Sequence, residues 1–183
     1  VVYIGIMGSQ DGVDILLNAA HEAIHGAGRE DLRFLLVGDG PEYDKLQALS
    51  RALKIDDRVA FTGFLRGDKL LAALSSADIG VCPDPWNAFN DKLTMNKVLE
   101  YMAMELPTVM FDLSEGRDIA EDAAVYAPGG DDPKALAKAM LDLLGDPARI
   151  KRMAEYGRKR VEGHFGWDGQ RQIYLSAYAG LWR

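Results

Sequence analysis

Short apolar runs that stop at or beside a glycine alternate with segments of helical spacing from Val1 to Tyr126. Val1-Val2-Tyr3-Ile4 closes at Gly5. Arg33-Phe34-Leu35-Leu36-Val37 closes at Gly38, and Val59-Ala60-Phe61-Thr62 closes at Gly63. Ile79 to Cys82, Pro107 to Phe111 and Ala124 to Tyr126 complete six such runs. Between them Leu17, Ala20, Ile24 and Ala27, then Leu46, Leu49 and Leu53, then Leu70, Leu71 and Leu74 recur at helical spacing. A helix is also expected from about Met95 to Met104, and a short one near Ile119. This alternation predicts an α/β, Rossmann-like three-layer domain: a mostly parallel six-stranded sheet with helices on both faces.

Beyond residue 126 the pattern becomes wholly helical. Asp132-Pro133 and Asp146-Pro147 each set a capping acid before a proline at the first helical position. Leu136, Met140 and Leu144, then Ile150, Ala154 and Val161, then Ile173, Ala177 and Leu181 mark three apolar helix faces. No linker or repeat divides the 183 residues, so a single domain over 1–183 is expected. The first residues already read as a strand and no Met precedes them, the pattern of a domain taken from a longer protein.

Twenty-eight acidic side chains against 21 basic ones leave a net charge of −7. That argues against a general nucleic-acid binder, which needs a basic field to exchange for counterions. The one cysteine allows no internal disulfide and no Cys-rich zinc site. No apolar run approaches the roughly 20 residues of a membrane span, and no basic leader precedes the first strand. A cytoplasmic protein is the expectation.

His21-Glu22-Ala23-Ile24-His25 is a literal H-E-x-x-H. Two histidines one helical turn apart can share a zinc ion, with the glutamate as general base. Core positions Leu17, Ala20 and Ile24 lie beside them, however, and the segment is the first crossover helix of an α/β fold. The flank of an amphipathic helix is the reading adopted. Gly38-x-Gly40 is followed by Tyr43 where a dinucleotide fingerprint needs glycine. Cys82 ends an apolar strand and is read as a small buried hydrophobe.

In an open parallel sheet, ligands bind at the carboxyl ends of the strands near the reversal of strand order. The loops to watch are therefore 5–12, 38–42, 62–68, 83–94 and 112–118. The densest chemistry lies after the fourth strand, in Asn90-Asp91-Lys92-Leu93-Thr94-Met95-Asn96-Lys97-Val98-Leu99-Glu100-Tyr101. Thr94, Met95 and Asn96 fall at a helix start, where free N–H groups and the helix dipole favour an anion. Lys97 and Glu100, three apart, share a helix face. A phosphate at the helix tip, a lysine in the first turn and a carboxylate one turn on suit a nucleoside diphosphate. The plainer alternative is a surface Lys–Glu pair. Asp84 and Asp91 are read as loop acids with no required role.

At this point the chain resembles the C-terminal domain of GT-B glycosyltransferases of group 1, the GT4 family. Gly38-Asp39-Gly40-Pro41-Glu42 matches a G-x-G-P-E turn, and Val59, Phe61 and Gly63 match V-x-F-x-G. Ala77-Asp78 opens the fourth strand, and Glu100 to Val109 follows the pattern E-A-M-A-x-G-x-P-x-V. Gly129, Asp131, Pro133, Ala135 and Leu136, then Phe165 and Trp167, continue the match in order.

The resemblance implies a nucleotide-sugar-binding half of a retaining hexosyltransferase. Its own N-terminal domain would hold a glycan or lipid-linked acceptor, and the final helices would cross back onto it. No cofactor is implied beyond the donor substrate, an NDP-sugar and foremost a UDP-sugar, and no metal. Polysaccharide assembly at the inner face of a membrane is the implied setting. Glu100 would take the ribose, the loop around Gly8 the diphosphate, and the Gly38–Gly40 turn with the backbone around Phe61 to Leu65, Gly63 included, would border the base.

Three departures stand out. Ile6 and Asp11 occupy positions where the family usually has an arginine and a lysine, and Lys92 stands where it has an acid. A branch with an N-D-K-x-T-x-N-K-x-x-E-Y pattern is matched closely. In it Lys92 and Lys97 are expected to replace the missing cations as donor-activating groups, with Arg117 as a third. The departures also leave open a non-catalytic nucleotide-sugar-binding or regulatory module. Half of a UDP-sugar 2-epimerase is a further alternative.

Overall fold

The computed structural model describes residues 1–181. Six strands form one parallel sheet: β1 (Val2–Ile4), β2 (Phe34–Val37), β3 (Val59–Gly63), β4 (Gly80–Cys82), β5 (Thr108–Phe111) and β6 (Ala124–Ala127). Their order is β3-β2-β1-β4-β5-β6. The six expected runs are the six strands, and every pairing is parallel.

The described residues form eight α-helices: α1 (Val13–His21), α2 (Tyr43–Ala52), α3 (Asp68–Ser75), α4 (Asn96–Ala103), α5 (Ser114–Ala120), α6 (Pro133–Leu144), α7 (Pro147–Arg160) and α8 (Trp167–Leu181). Alternate strand residues feed opposite faces, as the period of two demands. Tyr3, Leu36, Val81, Val109 and Phe111 pack with α1, α2 and α6. Val2, Ile4 and Val37 pack with α3 and Tyr101, while Cys82 and Met110 pack with α4 and α5. The two Asp-Pro starts cap as read: Asp132 accepts from Lys134 N and Asp146 from Arg149 N, both at 2.9 Å.

The centre of the sheet is its least regular part. β1 and β4 register only at Val2 and Gly80, with Val2 N donating to Ile79 O at 3.0 Å. The next rung would join Ile4 N to Val81 O. Instead the Tyr101 hydroxyl from α4 stands between them. It accepts from Ile4 N at 3.0 Å and donates to Val81 O at 3.1 Å. The strands thus part by the width of one hydroxyl where the strand order reverses. Gly80 makes room for the phenol: a Cβ there would lie 2.6 Å from the Tyr101 ring.

Helix α4 ends in a tight αL turn. Leu106 N donates to Tyr101 O and Glu105 N to Met102 O, which satisfies carbonyls of the last turn. Glu105 takes the left-handed conformation, φ 58°, where glycine is the unstrained choice.

Two features differ from the sequence reading. The H-E-x-x-H histidines are not a free flank. His21 Nδ1 lies 3.0 Å from Leu53 O, and His25 Nε2 lies 3.0 Å from Lys54 O. A carbonyl can only accept, so both rings donate, tying the wide turn after α1 to the end of α2. The last helix shows its apolar residues to solvent: Ile173 is 65% exposed and Leu181 77%. Helical spacing correctly foretold α8, but nothing among the described residues covers it. Among those residues no helix is long and apolar enough to cross a membrane.

Tyr101→Phe is expected to cost about 1–3 kcal/mol, since Ile4 N–H and Val81 C=O lose their shared partner. Thermal unfolding should show a drop of several degrees, and an unchanged Tm would mean that the strands close without the hydroxyl. Glu105→Gly should act the other way, adding about 0.5–1 kcal/mol by relieving the left-handed backbone. Chemical denaturation of both variants checks the pair.

Candidate functional site

Where β1 and β4 part, the loops above them enclose a cleft of about 560 Å³. One wall is Gly5, Ile6 and Asp11 from the loop after β1, with Gly38 and Asp39 beyond. Phe64 and Leu65, just past β3, extend it. The opposite wall is the segment from Leu93 to Lys97 and Glu100 on α4. The glycine that ends β2 is required by close packing. A Cβ on Gly38 would sit 1.8 Å from Gly5 O, and its φ is +142°.

The start of α4 has no side-chain cap; Met95 precedes it in an extended conformation, φ −83° and ψ 94°. Val98 N turns back to Met95 O at 2.9 Å. The N–H groups of Asn96 and Lys97 have no acceptor among the described residues. Such a helix start carries partial positive charge and open donors.

Lys97, in the first turn, does not reach for Glu100. Its ammonium turns down to Asp84, Nζ to Oδ2 2.8 Å, with side chains only 11% and 3% exposed. It also lies 5.0 Å from the centre of the Tyr3 ring. Burial works against the charge, but the Asp84 carboxylate, as ion-pair and hydrogen-bond partner, more than offsets it, so Lys97 holds its proton above the usual lysine range. The Cys82 thiol donates to the same Asp84 oxygen at 3.0 Å. Burial foremost, then the Asp84 charge, pushes that thiol well up, so it stays a neutral donor.

Two other carboxyls are partly desolvated. Glu100 has no partner among the described residues, and burial raises it above the ordinary carboxylate range. Asp11 is also raised, by burial first, partly countered by the Gly8 N–H at 2.9 Å and by Lys97. Tyr3 Oη donates to Ile6 O at 2.6 Å and steadies the same loop.

Of the residues read from sequence, the cleft gathers Gly38, Thr94, Met95, Asn96, Lys97 and Glu100. Thr94 Oγ1 also donates to Glu115 at 2.8 Å. The others do not line it. Lys92 is exposed on a short 3₁₀ turn, Asn90–Lys92. Arg117 pairs with Asp112 at 2.7 Å and lies 4.0 Å over the Tyr126 ring. Phe61 turns away onto Tyr43, ring centres 5.6 Å apart. Gly8 serves the Asp11 turn, Gly40 packs under the Met7 backbone, and Gly63 O accepts from Gly38 N.

One residue that lines the cleft was misread from sequence. Asp84 was taken for a loop acid but is 2% exposed and grips Lys97. Its signal is its setting, Cys82-Pro83-Asp84-Pro85: a carboxylate between two stiff residues directly after a buried strand. Phe64, within the Phe61–Leu65 segment read as bordering the base, is an exposed aromatic at the mouth. A larger hollow of about 760 Å³ lies at the opposite, amino end of the strands. Its arginines are already engaged: Arg29 by Asp31, Arg58 by Asp57, and Arg33 by the carbonyls of Glu30 and Leu32.

A parallel sheet with a cleft at its switch point defines a Rossmann-like α/β domain, and the comparisons narrow the class. The sequence profile of the family "Glycosyl transferases group 1" matches residues 1–146. The chain belongs to that family. It is 31% identical over 157 residues to the alpha-D-kanosaminyltransferase of Streptomyces kanamyceticus, a match covering 85% of this chain and 39% of that protein. The chain thus spans well under half the length of the curated relatives it matches first.

Solved structures agree in fold. The C-terminal domain of a group 1 glycosyl transferase from Francisella tularensis superposes with a TM-score of 0.70 at 17% identity, over 90% of this chain and 85% of that one. HepE from Anabaena, solved in complex with UDP, gives 0.79 at 17% identity, over 98% and 48%. The architecture is that of a GT-B half.

Removing the ammonium alone should be costly. Lys97→Met leaves Asp84 buried without its cation, and a loss of about 3–5 kcal/mol is expected at neutral pH. Adding Asp84→Asn in the same chain should restore most of it. Urea unfolding of the single and double variants measures the difference. A double variant no more stable than the single one would show that the pair is not what Lys97 contributes.

Proposed function

We propose that this chain is the donor-binding domain of a retaining glycosyltransferase. It would hold an NDP-sugar, foremost a UDP-sugar, for transfer of the hexosyl group to a glycan or lipid-linked acceptor on an N-terminal domain. The observation that carries the reading is the convergence of Lys97 and the uncapped start of α4 on one cleft, with Glu100 one turn on. The diphosphate meets the ammonium and the free N–H groups. The Glu100 carboxylate accepts from the two ribose hydroxyls. The base lies toward Gly38, Phe64 and Leu65. The UDP held by a protein of the same fold supports this assignment.

The chemistry asked of the domain is leaving-group stabilisation. As the glycosidic bond breaks, charge grows on the departing diphosphate. A fixed ammonium and a fixed helix end are worth more against that charge than against the ground state. In this reading those two groups, not a metal, carry the diphosphate. The complete enzyme would work in the cytoplasm, at the inner face of a membrane when its acceptor is a lipid.

One observation favours a second reading. Among the described residues lining the cleft, Lys97 is the one cation, against Asp11, Asp39, Asp84 and Glu100. With Ile6 and Asp11 at usual cation positions, a non-catalytic nucleotide-sugar-binding module fits the same geometry. A sugar-transfer assay on the full-length enzyme separates the two.

Calorimetric titration of the folded chain with UDP, GDP and ADP tests the donor site. One nucleotide should bind in the micromolar to millimolar range. Glu100→Gln should weaken it about tenfold or more, through loss of charged hydrogen bonds to the ribose. Asp11→Asn keeps an acceptor for Gly8 N–H but removes a negative charge, so binding should tighten roughly three- to tenfold. No binding to any of the three would overturn the donor-site assignment.

A further inference from the structure

Asp84 stands in an odd place for an anion site. Its carboxylate lies against Lys97, the one cation lining the cleft among the described residues, where its charge opposes a diphosphate. It is also fixed from outside the cleft. Pro83 and Pro85 flank it, and the loop is pressed against Gly12, where a Cβ would lie 2.1 Å from Pro83 O. The Cys82 thiol holds the same oxygen that meets Lys97. Lys97 gives Asp84 one of its three N–H donors, and the others have no acceptor among the described residues. An unrestrained lysine would instead extend into solvent and keep its rotamer freedom.

We propose that Asp84 is a positioning residue. It draws the Lys97 ammonium to the cleft floor and holds it within the first turn of α4, so that ammonium and free N–H groups form one preorganised cradle for a diphosphate. The proposal rests on the donor-site reading above. Two effects compete when Asp84 is neutralised. Loss of a negative charge favours an incoming anion, whereas release of the lysine makes each binding event fix it anew. The burial of the pair and the rigid flanks of Asp84 make positioning the larger effect.

The test uses Asp84→Asn in the 183-residue chain, after its thermal unfolding shows a folded protein. UDP is titrated by calorimetry and uridine, which lacks the phosphates, by saturation-transfer NMR. UDP should bind about three- to tenfold more weakly than to the wild type, with uridine unchanged. A merely structural role would weaken both ligands together, and a purely electrostatic one would tighten UDP; either result overturns the proposal.

A second readout needs no ligand. Reductive methylation of Lys97, followed by mass spectrometry, should be slow in the wild type and several-fold faster in Asp84→Asn. Equal rates would overturn the hold assigned to Asp84. A wild-type chain that binds none of UDP, GDP and ADP fails the donor-site reading and takes the proposal with it. That outcome is distinct from a wild type that binds and an Asp84→Asn chain that binds equally well.

Discussion

Everything above the sheet depends on one hydroxyl. A parallel sheet whose strand order reverses must send its crossovers to opposite faces, and the two central strands then lose their common loop cover. Here they also lose a rung. Tyr101 supplies it from the side, accepting from Ile4 N and donating to Val81 O. Both backbone groups are buried and neither could be left open without a cost of about 1–3 kcal/mol. The sheet therefore stays continuous through its middle while its carboxyl edge opens. Gly80 is the matching concession on β4, since any side chain there would meet the phenol.

The same helix then furnishes the cleft. Four residues before Tyr101, one turn up, Lys97 lies over the widened edge; Glu100 stands beside it facing solvent. A lone buried ammonium would shed its proton or its position. The Asp84 carboxylate prevents both, and the neutral Cys82 thiol shares that carboxylate. A buried pair of this kind contributes little net stability, because desolvation offsets most of the attraction. Its effect is to fix where a charge sits. The net charge of −7 is accordingly a poor guide to this spot, where, among the described residues, a single placed cation and a helix end face four carboxylates.

Much of this was legible without coordinates. The six strands, the crossover helices and the two Asp-Pro starts follow from local rules: period, glycine stops and capping acids. The helix start at Thr94–Asn96 and the shared face of Lys97 and Glu100 follow from spacing along one element. What spacing along one element does not show is how side chains from different elements meet. Lys92 and Arg117 are as basic in sequence as Lys97, but one points from a 3₁₀ turn and the other is spent on Asp112 and Tyr126. Phe61 sits in a strand with period two, so it faces α2 while its neighbour past the strand, Phe64, reaches the mouth. Asp84 looked like any loop acid because burial is a property of what surrounds it. The two histidines carried a sequence pattern strong enough to suggest zinc, and only the carbonyls of Leu53 and Lys54, some thirty residues away, show what they hold.

In the donor-site reading, an exchange of cations would carry a structural consequence of its own. A lysine or arginine in the loop after β1 would depend on loop conformation for its position. Here that loop carries Ile6 and Asp11, and the cation rides on α4 instead. Its backbone is then anchored by Tyr101 one turn below, and its head by Asp84 across the split. Sheet closure, charge placement and the acid of the cleft are thereby linked through a helix of eight residues. A change that shifts α4, such as one at Gly80 or at the left-handed Glu105, moves the ammonium, the N–H groups and Glu100 together. Coupling of that kind makes the site stiff against loop motion and sensitive to packing beneath it, the reverse of a site built from loops alone.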